Sequence, residues 1–136
     1  MRDDNCIFCK IAAGDIPSNK LFEDEDFIAI LDLSPATKGH TLLIPKDHYP
    51  DLFSLPDDVC ASVLQRGKKI AALLRERLGA DGMNVMQNNG EIAGQTVMHY
   101  HMHLVPRYQT DPEQINWKPP QADPEVLKAV REEITQ

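Results

Sequence analysis

Three histidines alternate with apolar or aromatic residues in the segment His99-Tyr100-His101-Met102-His103. Alternation with a period of two is typical of a β-strand, so the imidazoles are expected on one face and the intervening side chains on the other. Imidazole offers a neutral nitrogen near pH 7, both as a nucleophile and as a metal ligand. The pattern therefore indicates nucleophilic chemistry, a metal site, or both.

Strand geometry limits how these histidines can share a metal ion. Residues i and i+2 lie about 6.5–7 Å apart along a strand, and residues i and i+4 about 13 Å apart. Two neighbouring histidines can converge on one ion, whereas all three would need a sharp bend or bulge. A three-histidine zinc hydrolase site built from this strand alone is therefore disfavoured, and at least one imidazole should have another role.

A second candidate site begins with the pair Cys6-x-x-Cys9, whose spacing is typical of half a zinc site. No βαβ pattern surrounds the pair, which disfavours a thioredoxin-like redox site, but two buried small apolar residues remain an alternative. A structural zinc needs four ligands, and His48 and His99 are the candidates for the other two. Cys60 lies within a helical pattern and is expected in the core.

The polar segment Gly90–Thr96 runs directly into the histidine segment. Its glycines allow backbone N–H groups to turn towards an anion, and the side chains of Gln95 and Thr96 are further donors. Asn88 and Asn89, just before it, are either turn formers or additional phosphate ligands. This segment is an ordinary loop or a phosphate site beside the histidines.

Composition excludes several classes of protein. The 136 residues include 14 basic and 21 acidic side chains, a net charge of −7 with no Lys/Arg run, so we expect no nucleic-acid partner. No run of 18 apolar residues predicts a membrane span, and residues 1–5 lack the apolar core of a signal peptide. Three cysteines without such a signal favour a reducing, cytoplasmic location.

The remaining pattern predicts alternating short strands and helices in a single domain over residues 1–136. Links between the first strands are too short for crossover helices, so antiparallel pairing is expected. The fold class is therefore α+β, with an antiparallel sheet of about five strands, one long helix and short flanking helices. The predicted elements are a helical turn over 6–13, strands over 20–23, 27–31, 41–44, 83–87 and 98–105, and helices over 56–78 and from about 123 to 134, with an irregular linker over 109–122.

The segment His99–Val105, with an apolar or aromatic residue after each histidine, resembles the motif of the histidine triad family. The resemblance covers about residues 5–108 and is specifically to the zinc-containing, bacterial-type subset of its nucleotide-binding-protein (Hint-like) branch; the tail 109–136 carries little family information. It rests also on the segments Cys-Ile-Phe-Cys-Lys-Ile, Gly-Asp-Ile-Pro, Phe-Glu-Asp-Glu, Lys-Gly-His-Thr-Leu-Leu-Ile-Pro-Lys-Asp-His and Ala-Gly-Gln-Thr-Val.

The resemblance implies the histidine triad fold and a hydrolase or transferase that attacks the α-phosphorus of a purine nucleotide. It assigns the nucleophile to His101, which would form a nucleotidyl-histidine intermediate, and places His103 beside the phosphate with His40 supporting it. Gln95 is implied as a third catalytic residue. The implied nucleotide contacts are Ile7, Phe8, Phe27 and Ile30 at the base, with a core role for Phe27 equally open, Asp32 at the ribose, and Asn88, Gln95 and Thr96 at the phosphate and leaving group.

The resemblance also implies one structural zinc per chain, held by Cys6, Cys9, His48 and His99, and a homodimer. It leaves the substrate open, because the ending His103-Leu-Val-Pro-Arg107 is similar to dinucleoside polyphosphate hydrolases, while the branch itself favours nucleoside phosphoramidates. A nucleotide-binding interaction protein with incidental turnover is a third alternative. Trp117 follows an unmatched stretch, so its correspondence to the branch's C-terminal tryptophan is not assigned.

Overall fold

A computed structural model describes residues 1–111 and 118–136, so Trp117 and part of the predicted linker 109–122 lie outside the described residues. The described chain confirms the α+β class, with one long helix. The elements are α1 (Ile7–Ala12), β1 (Lys20–Glu23), β2 (Phe27–Leu31), β3 (Thr41–Pro45), α2 (Asp57–Leu78), β4 (Gly82–Met86), β5 (Met102–Arg107) and α3 (Pro124–Thr135), with 3₁₀ turns at Leu52–Ser54 and Glu91–Ala93.

The strands of the described residues form one five-stranded sheet in the order β1-β2-β3-β5-β4, and every pairing is antiparallel. The first three strands pair with their sequence neighbours, as their short links predict. β5 lies between β3 and β4, so that Leu42 and Met86 flank His103 on its two sides. The sheet therefore places His103 on an inner strand, where its backbone is held from both edges.

The strand predicted over 98–105 is partly wrong, because β5 begins only at Met102. Continuing the β3–β5 register would place Pro45 opposite Tyr100, and Pro45 has no N–H to donate to a ladder. The N–H of Tyr100 instead bonds to the carbonyl of Tyr49 at 2.6 Å. His99 and His101 therefore lie in chain that precedes the strand.

The predicted alternation of faces is confirmed despite the shorter strand. Tyr100, Met102 and Leu104 pack into the core that faces α2. The rings of His99 and His101 instead meet the edge of Phe8, whose core cluster contains residues of α1, β2 and β3. The histidines and the intervening side chains thus lie on opposite sides.

Helices cover both faces of the sheet. α2 buries Val63, Ile70 and Leu74, a stripe at helical spacing that lies against β3 and β5, and half-buried Cys60 packs against the same core. α1 covers the other face with Phe8 and the two cysteines of the Cys-x-x-Cys pair. The chemistry-bearing residues therefore lie on the α1 side, away from the long helix.

α3 has a different environment from the other two helices, because none of its residues is buried. Its apolar side chains are exposed on the described chain, namely Val126, Leu127, Val130 and Ile134. None of the helices in residues 1–111 and 118–136 combines the length and apolar character needed to cross a bilayer.

We predict that Gly39→Ala destabilises the protein more than Gly14→Ala. Both glycines have positive φ, +90° and +83°, so either substitution introduces backbone strain of about 1–3 kcal/mol. A Cβ at position 39 would also overlap Cδ1 of Leu78, whereas position 14 is open. Overpacking should add about 1–3 kcal/mol at position 39 alone, as measured by urea denaturation. Equal free-energy losses in the two variants would contradict this packing.

Candidate functional site

The N-terminal end of α1 brings two cysteine sulfurs together. Cys6 is the N-cap residue, and its Sγ accepts the N–H of Cys9 at 3.5 Å. The Sγ of Cys9 in turn accepts the N–H of Asp3 at 3.4 Å. Because residues three apart on a helix are neighbours on its surface, Cys-x-x-Cys at a helix start points both thiols at one place.

The two cysteines meet two imidazoles from the sheet side, as the sequence predicted. Nδ1 of His99 lies 3.3 Å from Sγ of Cys6, and Nδ1 of His48 lies 3.4 Å from Sγ of Cys9. The two Nδ1 atoms are 3.2 Å apart, and all four ligand atoms lie within 4.8 Å of one another. Tetrahedral zinc with bonds of about 2.0 Å to nitrogen and 2.3 Å to sulfur requires separations of about 3.3–3.8 Å.

The chemistry of the four donors also suits zinc. Nε2 of His99 bonds to the carbonyl of Pro45 at 2.8 Å, so its proton is on Nε2 and the Nδ1 lone pair faces the other donors. Burial lowers the pKa of His99 to about 4, which keeps the ring neutral, as a ligand must be. The donors fit a closed, structural site.

His101 has the geometry of an imidazole nucleophile. Its Nδ1 bonds to the carbonyl of His99 at 2.7 Å, and a carbonyl only accepts, so the proton is on Nδ1 and the lone pair on Nε2. Its ring packs edge-on against Phe8 with 5.0 Å between centroids. Burial lowers the pKa of His101, so the ring is neutral at pH 7. A fixed, neutral ring with a free Nε2 can attack an electrophile.

A chain of hydrogen bonds fixes the protons on His40 and His103. The backbone N–H of Ala36 donates to Nδ1 of His40 at 3.0 Å, so the His40 proton is on Nε2. That Nε2–H donates to Nδ1 of His103 at 2.9 Å, which leaves the His103 proton on its own Nε2. Burial, followed by the neighbouring His101 and His40, lowers the pKa of His103 to about 4. His103 is therefore a neutral hydrogen-bond donor.

Asp32, His40 and His103 also bring three potential ligand atoms within 4.8 Å of one another. The relevant nitrogen of His40 is Nε2, which lies 3.6 Å from Oδ2 of Asp32. The Ala36 N–H occupies the lone pair of Nδ1 and so keeps a proton on Nε2. This second cluster is therefore suited to a hydrogen-bond relay and not to a metal ion.

A cavity of about 250 Å³ contains most of the residues that the resemblance assigned to a nucleotide. His101 and His103 lie together with Asp32 and Thr96 in its lining, while His40 is buried behind His103. Apolar residues make up much of the rest, among them Ile7, Phe8, Ile30, Leu33 and Leu42. An apolar cavity with a few convergent polar groups is typical of a small-molecule site.

Gln95 and Asn88 are placed outside the lining of this cavity. The amide of Gln95 donates to the carbonyls of Pro50 and Val97 at 2.7 and 3.0 Å, and its Oε1 accepts the N–H of Gly90 at 2.8 Å. In this structure Gln95 therefore holds the loop that leads to Thr96. The roles of Gln95 and Asn88 as phosphate contacts stay predictions.

The structure decides between the two expected roles of Phe27 and adds two features that were not anticipated from sequence. Phe27 belongs to the core beneath α2, where the Arg66 guanidinium lies 4.7 Å from its ring centroid, so of its two expected roles the core one holds. The backbone N–H of Ala36 fixes the His40 proton, a function that no side-chain pattern could indicate. The cavity is also lined by residues 16–19, whose only signal was the Gly-Asp-Ile-Pro segment.

Comparison with known proteins agrees with this geometry. The HIT domain family profile matches residues 13–110. The adenosine 5'-monophosphoramidase hnt1 of Schizosaccharomyces pombe is 42% identical over 132 residues, which cover 96% of each chain. The adenylylsulfatase HINT3 of Arabidopsis thaliana is 41% identical over 79% of this chain and 54% of its own length.

Solved structures of related proteins share this fold. A HIT family protein from Bacillus subtilis superposes with a TM-score of 0.88, at 46% identity and with 96% of this chain and 95% of that one covered. A zinc-bound histidine triad family protein from Mycobacterium smegmatis has a TM-score of 0.77 at 45% identity, covering 85% of this chain and 84% of its own. With its sheet, its histidines and these relatives in agreement, this chain belongs to the HIT domain family and is a hydrolase.

Proposed function

We propose that this chain cleaves nucleoside phosphoramidates, or related mononucleotide substrates, at the α-phosphorus and releases the nucleoside monophosphate. The observation that carries the proposal is the 2.7 Å hydrogen bond from His101 Nδ1 to the His99 carbonyl, which leaves Nε2 as a neutral nucleophile at the cavity. Nucleotide binding alone needs no oriented nucleophile. The arrangement therefore favours an enzyme over an interaction protein with incidental turnover.

The nucleotide would bind with its base against Ile7 and Phe8, a largely apolar wall that suits the broad face of a purine. The Asp32 carboxylate would accept hydrogen bonds from the ribose hydroxyls, since its Oδ1 already accepts the N–H of Ser34 and is fixed in place. These contacts would deliver the α-phosphate to the end of the cavity lined by His101 and His103.

In the first step, Nε2 of His101 attacks the α-phosphorus and a P–Nε2 bond forms as the substrate P–N bond breaks. The electron pair of the broken bond leaves with the nitrogen, which departs as a neutral amine when it enters protonated. The His101 ring becomes cationic, and the His99 carbonyl that faces Nδ1 stabilises that charge. The Nε2–H of His103 donates to a phosphoryl oxygen, where negative charge develops.

In the second step, water attacks the phosphorus and the P–Nε2 bond breaks. The pair of electrons returns to Nε2, the water releases one proton to solvent, and neutral His101 is regenerated with the nucleoside monophosphate as product. The His103 donor serves both steps, because the same phosphoryl oxygen carries the charge in each.

Charge around the cavity favours the phosphoramidate over a dinucleoside polyphosphate. Among the described residues that line it, Asp32 carries the one carboxylate and none is lysine or arginine. A polyphosphate leaving group would add several negative charges with no cation to meet them. The His103–Arg107 sequence keeps the polyphosphate reaction as the second candidate, which the experiment below distinguishes.

We further propose one structural zinc per chain at Cys6, Cys9, His48 and His99, supported by the donor separations and by the zinc-bound relative. When bound, zinc supplies a cross-link between α1 and the histidine segment. We also propose a homodimer, because α3 exposes its apolar side chains and the edge strand β4 exposes Val85 and Met86. The thiols required for zinc favour a reducing cytoplasm.

Phosphorus NMR of a mixture of adenosine phosphoramidate and diadenosine tetraphosphate tests the proposed substrate class. We expect selective loss of the phosphoramidate signal and appearance of AMP, because the cavity contributes no cation for extra phosphates. Selective loss of the tetraphosphate would establish the second candidate instead. Loss of neither signal would contradict both reactions and favour the binding protein.

We predict that His101→Ala reduces turnover by at least about a thousandfold, because the nucleophile is removed. Affinity for AMP, measured by isothermal titration calorimetry, should change by less than about fivefold, since the base and ribose contacts are retained. Circular dichroism serves as the folding control. Undiminished turnover in a folded variant would remove the assignment of His101.

We predict that the purified protein contains about one zinc per chain and that Cys9→Ser loses it, because three remaining ligands cannot close a structural site. Metal analysis by inductively coupled plasma mass spectrometry measures the content. Cys60→Ser is the matched control, since Cys60 is half-buried on α2 and lies outside the cluster. Zinc absent from the wild-type protein, or retained equally in both variants, would contradict the site.

A further inference from the structure

The loop between β2 and β3 carries both Asp32 and the backbone N–H that sets the proton on His40. We propose that Thr37 is a positioning residue for the reaction: its hydroxyl fastens this loop to β5 and thereby keeps the His103 proton on Nε2, facing the phosphate. The proposal rests on the proposed function in one respect, that His103 acts on a phosphoryl group.

Two side-chain hydrogen bonds join the loop to the strand that bears His103. The hydroxyl of Thr37 donates to the carbonyl of Pro106 at 2.6 Å. Two residues further on, just past the end of that strand, the hydroxyl of Tyr108 donates to the carbonyl of Lys38 at 2.7 Å. Pro106 is three residues from His103 on the same strand, so these hydrogen bonds fix the position of the loop relative to His103.

The ends of the loop are fixed independently of the Thr37 hydroxyl, and the N–H of His40 also bonds to the Thr37 carbonyl at 3.2 Å. The N–H of Asp32 bonds to the carbonyl of His40 at 2.9 Å, and the Oδ1 of Asp32 accepts the N–H of Ser34 at 2.8 Å. Gly39 packs beneath Leu78, with no room for a side chain. The N–H of Ala36 lies between these ends, and the hydroxyl of the next residue, Thr37, is the contact closest to it in the chain that ties the loop to β5.

The position of the Ala36 N–H matters because it selects between the two tautomers of His40, the Nδ1–H form and the Nε2–H form. With that N–H aimed at Nδ1, a proton on Nδ1 would place two hydrogens face to face, so His40 is held as the Nε2–H form. The Nε2–H of His40 in turn faces Nδ1 of His103 at 2.9 Å, so the proton of His103 is kept on its Nε2 for the same reason. Release of the loop would allow both rings to exchange forms, and a His103 lone pair would then face the phosphoryl oxygen.

Thr37 lies where its effect on the His103 tautomer can be separated from effects on nucleotide binding. Thr37 does not line the cavity, and its hydroxyl bonds to a backbone carbonyl. Its removal should therefore leave nucleotide binding largely intact while changing the protonation pattern of His103. A purely structural threonine would affect stability without changing which nitrogen of His103 carries the proton.

Thr37→Val tests the proposal, because valine keeps the volume and removes the donor. Nitrogen-15 NMR of the imidazoles, at about pH 8 where free histidine is neutral, reports the form of each ring without substrate. We expect wild-type His103 as the single Nε2–H form, and a mixture of both forms in the variant. With adenosine phosphoramidate, kcat should fall about tenfold while KM changes less than about twofold.

Thr37→Ser should restore the single form and bring kcat to within about twofold of wild type, since the donor returns. Thr135→Val is the matched control: the Thr135 hydroxyl also donates to a backbone carbonyl, that of Arg131 at 2.7 Å, but on exposed α3. If Thr37→Val fails to fold, Tyr108→Phe removes the second fastening from a more exposed position and should give a mixture in the same direction.

An unchanged His103 form in folded Thr37→Val, or a loss that Thr37→Ser does not reverse, would overturn the proposal. These outcomes are separate from failure of the proposed function. The ring forms are read without substrate, so they can be as expected even in a protein that hydrolyses no phosphoramidate. Conversely, hydrolysis with an insensitive His103 would leave the proposed function in place and remove Thr37 from it.

Discussion

The backbone and side chain of one residue, His99, connect the two halves of the site. Its ring Nδ1 lies among the cysteine sulfurs, while Nε2 is held by the Pro45 carbonyl. Its own carbonyl accepts the Nδ1 proton of His101 and so decides which nitrogen of His101 is free. Because both nitrogens of the His99 ring are held and its carbonyl belongs to the same residue, ordering the four proposed zinc donors would also help to order the proposed nucleophile.

Several imidazoles are buried in one place, and this burial keeps their rings neutral. Burial is the leading cause of the lowered pKa of His40, His101 and His103, and for His103 the value falls to about 4. A protonated His101 could not act as the proposed nucleophile, and the lowered pKa favours the neutral form at neutral pH. Backbone groups of Ala36 and His99 then determine where each proton lies. The proposed reaction therefore depends on hydrogen-bond direction as much as on residue type.

Much of this arrangement could be predicted from the sequence, because period-two alternation, Cys-x-x-Cys spacing and short links each have a direct structural meaning. The start of β5 could not, since it depends on Pro45 of another strand. The side chain of Gln95 is of a type that can donate to a phosphate. Its amide bonds in the fold to the carbonyls of Pro50 and Val97, and these contacts could not be read from the sequence. The backbone N–H of Ala36, which orients His40, leaves no pattern in the sequence.

Rapid quenching of a single turnover is the most direct test of whether the α-phosphoryl group is transferred to Nε2 of His101. Enzyme in excess over adenosine phosphoramidate would be quenched in base over a series of times, and the peptides mapped by mass spectrometry. We expect an adenylyl group on His101 that rises and then decays as AMP appears. Turnover without such an adduct at any time, or an adduct on His103 in its place, would rule out His101 as the nucleophile.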